Sequence, residues 1–231
     1  MYKRQRHLRS VGIRVLFGKP LATSLDWESD QGVLPSPLID DDVRFVGETL
    51  GLPHQDLIPS LHLLSPETAQ QRLAKGTLAA GEGLEQLRTS LEQTENSATL
   101  LEAAGNLHEG LLYGLSLVQL ARDLDAPVVL VHLWEDSRSV DALLAASQQL
   151  GDRLRGVVLN AVTPDDVESL ERDVVPSLQA LGIKVFGVMP RSPLLRSVTV
   201  GELVRRLDAR VICCKETVSY THLRAHETKT D

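Results

Sequence analysis

A lysine stands directly after a short apolar run in Val15-Leu16-Phe17-Gly18-Lys19-Pro20. At the carboxyl end of a strand such a cation can meet a phosphate or a carboxylated substrate. The same residues also fit a solvated lysine beside a proline that ends the strand. Asp40-Asp41-Asp42 precedes an amphipathic stretch, where carboxylates either complement a helix amino terminus or help hold a hydrated magnesium ion. Ala98-Thr99-Leu100-Leu101-Glu102 is an apolar run ending in a carboxylate, followed by the small residues Ala103-Ala104-Gly105. An acid so placed can orient metal-bound water beside phosphates, or simply close the edge of the core.

Two later strand ends carry different chemistry. Gly156-Val157-Val158-Leu159-Asn160 ends in a carboxamide that both donates and accepts, the pairing needed to read a purine edge, although asparagine also serves as a turn residue after a strand. Val185-Phe186-Gly187-Val188-Met189-Pro190, with Arg191-Ser192-Pro193 after it, either closes over a base or turns the chain. The histidines at 7, 54, 62, 108 and 132 have no metal spacing, and no serine lies in a nucleophile elbow, so zinc chemistry and a hydrolytic triad have no support. The phosphate-binding pattern G-x-x-x-x-G-K-[ST] does not occur in the 231 residues.

Elements of the right kind exist to position these groups. Apolar runs at Ile13–Phe17, Val128–Val131, Gly156–Leu159, Ile183–Val188 and Arg210–Ile212 read as strands covered on both faces. Between them, Asp41–Leu50, Pro66–Thr94, Ser116–Leu124, Ser139–Leu150 and Pro164–Leu181 read as amphipathic helices. This alternation predicts an α/β fold, a parallel sheet with helices on both faces. Gly182 is placed to stop a helix, Thr163-Pro164-Asp165-Asp166 to start one, and Asp26–Pro37 reads as a loop.

The net charge of -7 disfavours nonspecific nucleic-acid binding. The longest apolar run, near Pro127–Val131, is far shorter than the ~20 residues that span a bilayer, so neither a nucleic-acid nor a membrane partner is expected. Cys213 and Cys214 are adjacent; their Cα atoms lie ~3.8 Å apart, too close for an ordinary disulfide, and free thiols suit the cytoplasm. Residues 1–5 and 218–231 can be encoded by one inverted DNA repeat resembling a sequencing-library adapter. The expected natural domain is therefore 6–217.

Taken in order, Gly18-Lys19-Pro20, Asp40–Asp42, Glu102–Gly105, Gly156–Asn160 and Gly187–Pro190 resemble the dethiobiotin synthetase group of P-loop proteins. With Val43-Arg44-Phe45, Leu115-Ser116-Leu117, Val140–Leu144 and Arg191–Val198, the chain is more similar still to the dethiobiotin-synthetase-like amino-terminal domain of phosphotransacetylase-related proteins. The resemblance implies a P-loop NTPase-like sheet whose first strand, phosphate-binding loop and following helix belong ahead of Ile13. It also implies a downstream DRTGG domain, with ATP and Mg2+ as cofactors of the intact protein and homo-oligomerisation as an option. Lys19 is then the catalytic or substrate-facing residue, Asp42 and Glu102 the metal ligands, and Gly105, Asn160 and Pro190 the nucleotide-binding positions. Ala103 departs from the pattern, which has glycine there, and its methyl hinders close approach of backbone to phosphate. The expected function is a regulatory domain sensing a nucleotide or small metabolite, with the 231 residues themselves inactive. The alternatives are an ATP- and Mg-dependent carboxylate ligase and a non-catalytic scaffold.

Overall fold

The computed structural model describes residues 13–23, 37–63, 66–77, 81–92, 97–192, 198–199, 204, 210 and 222–223. The expected strand at Arg210–Ile212, apart from Arg210, and nearly all of the expected loop at Asp26–Pro37 lie outside the described residues, as do both adapter-like termini apart from His222 and Leu223. The chain divides into two compact units, residues 1–128 with 145–155 and residues 129–144 with 156–231.

In the first unit, β1 (Arg14–Gly18) is the central strand of a parallel sheet ordered β3-β1-β5, with β3 at Leu57–Ile58 and β5 at Ser97–Leu101. Val15, Leu16 and Phe17 are successive and all buried, as a strand covered on both faces requires. A short parallel pair, β2 (Leu21–Ala22) with β4 (His62–Leu63), lies just beyond. Helix α1 (Asp41–Leu50) begins where the Asp40 side chain accepts from the Asp42 N–H and ends at Gly51, which adopts φ 59°. Phe17, Ile39, Val43, Leu52 and Leu57 form one apolar cluster, packing α1 against the sheet.

The periodicity of Pro66–Thr94 predicts one helix, but there are two, α2 (Pro66–Ala74) and α3 (Glu82–Glu92). Gly76 adopts φ 62°, and the Gly76 and Thr77 N–H groups donate to Leu73 O and Arg72 O. This left-handed cap satisfies carbonyls that helix continuation would otherwise use. Helix α4 (Leu117–Asp123) starts with a reciprocal Ser116–Gln119 capping box. A second cluster joins Leu21, Leu87, Tyr113, Leu115 and Leu120.

The second unit holds a sheet ordered β6-β7-β8, with β6 at Val128–Leu133, β7 at Leu154–Val162 and β8 at Val185–Pro190; β7 and β8 are parallel. Helix α5 (Arg138–Leu150) links β6 to β7. The single helix expected over Pro164–Leu181 is a composite. A 3-10 turn (Pro164–Asp166) leads into α6 (Val167–Ser169), then a π-helical turn (Leu170–Val174), then α7 (Val175–Ala180). Pro176 has no N–H to give the ordinary i−4 carbonyl, and the widened turn immediately before it accommodates that loss. Thr163 precedes the run without a side-chain capping bond, whereas Gly182, at φ 84°, terminates it as its sequence position predicts. Parallel sheets with flanking helices thus agree with the α/β reading. No described helix is long and apolar enough to cross a membrane.

Candidate functional site

Register alone brings the first charged pair together. In the parallel β1–β5 ladder Gly18 lies opposite Leu101, so the next residues, Lys19 and Glu102, leave adjacent strands side by side. The Glu102 N–H donates to Gly18 O at 2.8 Å and extends the ladder by one step. Gly18 itself is required by packing, because a Cβ there would stand 2.6 Å from the Ile58 Cβ.

The Lys19 side chain is only 5 % exposed. Its Nζ donates to Asp42 Oδ2 at 2.8 Å and to Thr23 Oγ1 at 2.5 Å. Asp40 Oδ2 lies 3.5 Å from the ammonium and Glu102 Oε1 4.0 Å from it. Asp40 is fully buried and divides its carboxylate between two backbone donors, Asp42 N–H at 2.9 Å and Thr23 N–H at 2.7 Å. One residue therefore caps α1, ties down the segment after β1 and faces the lysine.

Burial pulls the Lys19 pKa down, but the hydrogen bond it donates to Asp42 and the charges of Asp40, Asp42 and Glu102 outweigh it, leaving the pKa above its ordinary value. Burial raises the Glu102 carboxyl; Lys19 opposes that rise, while Asp42 and Asp40 add to it, and the pKa stands above the usual carboxylate range. Three carboxylates face one ammonium, so the cluster carries excess negative charge. The side chains of Asp42 and Glu102 remain 57 % and 39 % exposed. Two reachable carboxylates in a negative setting fit a hydrated magnesium ion, which takes most of its ligands from water or phosphate. Among the described residues no three His, Cys, Asp or Glu side chains are grouped to hold a metal by themselves.

A direct test of this electrostatic balance is Glu102→Gln. Because the folded carboxyl has a raised pKa, the native state binds more protons than the unfolded chain between about pH 4.5 and that higher value. Wild-type stability therefore falls as pH rises through this window. Glu102→Gln should raise neutral-pH stability by up to about 1 kcal/mol, since the group is partly solvated, with the gain fading on acidification. Urea unfolding between about pH 4 and 7 checks this; a variant that loses stability at neutral pH would show that Glu102 serves the fold as a net stabilising partner of Lys19.

Gly105 lies in the loop after β5, where the Glu109 carboxylate is already close. A Cβ at Gly105 would meet Glu109 Oε2 at 2.5 Å, and that oxygen also accepts the Asn106 N–H. A phosphate approaching this backbone would have to displace Glu109. In the second unit, Asn160 lies near the end of β7 and its main-chain oxygen accepts from Trp134 N–H at 2.9 Å. Pro190 ends β8 opposite Val162. The structure thus brings together Lys19, Asp42 and Glu102 in one unit, and sets Asn160 and Pro190 on neighbouring strand ends of the other. Sequence reasoning gave no role to Thr23 and left Asp40 as one of three similar aspartates. The signal for Thr23 is its i+4 spacing from Lys19 across a proline.

Charged residues gathered at the carboxyl ends of parallel strands stand where open α/β sheets bind their ligands. The AAA domain family (AAA_26) matches residues 9–199, and the chain belongs to that family.

Proposed function

We propose that this chain is a regulatory nucleotide-binding domain of the dethiobiotin-synthetase-like kind, binding ATP with magnesium when a phosphate-binding loop precedes it. The observation that carries the reading is the buried Lys19 ammonium among Asp40, Asp42 and Glu102 at the carboxyl ends of β1 and β5. A core that needed only stability would be served as well by apolar groups, because desolvating several charges offsets much of their attraction. This favours a ligand-facing role over a plain scaffold.

In this reading Asp42 and Glu102 would hold magnesium, which neutralises phosphate charge when bound. Lys19 presents a fixed cation to a phosphate or carboxylate oxygen, exchanging part of its contact with Asp42 for the ligand. Asp40 keeps Lys19 in place from below, and Thr23 orients the ammonium. Within the second unit, Asn160 and Pro190 are the candidates for base recognition. Ala103, where the related enzymes have glycine, and Glu109 against Gly105 both oppose tight phosphate approach. They favour sensing over turnover and separate this reading from an ATP-dependent carboxylate ligase, in which Lys19 would assist transfer to a carboxylate.

Calorimetry with ATP and magnesium tests the proposal on the 231-residue chain and on a chain extended at its amino end by a strand, a phosphate-binding loop and a helix. Magnesium-dependent binding by the extended chain, with little by the shorter one, is the expected result. Absence of binding by both would remove the nucleotide reading and leave the scaffold. Multiple turnovers with a carboxylate substrate would favour the ligase.

A further inference from the structure

The β7–β8 ladder is irregular at two places: Val157 lies opposite Val185 but Val158 opposite Gly187, which leaves an extra residue on β8, and Leu159 lies opposite Val188 but the next pair is Val162 opposite Pro190. At this second irregularity three residues are advanced on β7 against two on β8, so the extra residue there is on β7. Within the irregular stretch Ala161 adopts φ +57°. That is a left-handed conformation which glycine adopts freely and which a Cβ makes sterically costly. Leu159 and Val162, on either side of the irregularity, are both fully buried. Both sides of the irregularity are pinned: Trp134 N–H donates to Asn160 O at 2.9 Å, and Arg191 N–H donates to Val162 O at 2.6 Å.

We infer that Ala161 is a positioning residue for base recognition: its left-handed backbone sets the bulge that holds Asn160 and the Pro190–Arg191 segment on adjacent strand ends, where a purine edge is read. The inference rests on the nucleotide reading above and adds to it a residue with no recognition chemistry of its own. Bulges at strand ends re-aim side chains and increase local twist, and strained backbone persists where the surrounding structure over-determines it. Here the over-determination is visible in the two flanking hydrogen bonds and the two buried apolar side chains.

The test needs no phosphate-binding loop, because nucleosides probe the base alone. In the 231-residue chain, amide hydrogen exchange at Trp134 and Arg191 reports the bulge, and NMR titration with adenosine and guanosine reports recognition. Ala161→Val puts a β-branched side chain at a positive φ, where it is a steric outlier. It should lower protection of both amides at least about tenfold and bring an adenosine preference of about fivefold down to near parity. Ala161→Asn, which tolerates the left-handed region, should keep both. Asn160→Leu should keep the protection and lose the preference. If Ala161→Val does not fold, Ala161→Leu meets the same conflict without the second branch at Cβ. Unchanged protection in the folded valine or leucine variant, or a retained adenosine preference, would overturn the inference. Equal binding of both nucleosides by the wild type, with protection still lost in the variant, would overturn the base-reading role of Asn160 while leaving Ala161 as the residue that sets the bulge.

Discussion

Replacing Lys19 with methionine should destabilise the protein by about 3–5 kcal/mol, the usual cost of stranding a buried charge by removing its partner. The charge left behind is Asp40, which is fully buried and lies 3.5 Å from the ammonium. The backbone N–H groups of Thr23 and Asp42 still donate to it, but neither carries a positive charge. The double variant Lys19→Met with Asp40→Asn should recover much of the loss, since it removes both members of the pair and the two sites are coupled. Denaturant titration of the single and double variants provides the measurement. A single variant within about 1 kcal/mol of wild type, the size of a surface pair, would mean that Asp40 is neutralised some other way.

Phe17→Ala should be similarly damaging for an unrelated reason, at about 3–5 kcal/mol. Phe17 is fully buried in the central strand of the first unit and packs with Ile39, Val43, Leu52 and Leu57. Truncation removes the transfer free energy of the ring and leaves a cavity beneath α1. Because whole domains are stable by only about 5–15 kcal/mol, such a loss should appear as a large fall in the urea midpoint with the slope nearly unchanged. A loss below about 1 kcal/mol would show that the neighbouring leucines collapse into the space.

How far these features were legible in the sequence depends on the range of the interaction that fixes them. Strand β1, helix α1 and the strand-end position of Glu102 follow from local pattern: an unbroken apolar run, an aspartate cap with a glycine stop, and an apolar run ending in an acid. The break between α2 and α3 was signalled by Gly76, but the hydrophobic periodicity on both sides masked it. The meeting of Lys19 with Glu102 needs the β1–β5 register, a long-range fact. Singling out Asp40 from Asp41 and Asp42 needs the long-range contact of the Thr23 N–H with its carboxylate. The bulge at Ala161 was least legible of all, because alanine gives no hint of a left-handed backbone and the compensation comes from Trp134 and Arg191, far away in sequence. The family match over residues 9–199 agrees with the P-loop reading that the strand-end motifs supported.

The segment leaving β1 has its carbonyls engaged in turn: Gly18 O accepts from Glu102 N–H, Lys19 O from Ser60 Oγ–H at 2.6 Å, and Pro20 O from Leu61 N–H. Two separate parts of the chain, Ser60–Leu61 and Glu102, thus fasten three consecutive peptide units. The conformational entropy of this loop is surrendered during folding, so an anion arriving at Lys19 meets a rigid receptor. Its affinity is then set by desolvation and charge, with little debit for ordering the backbone.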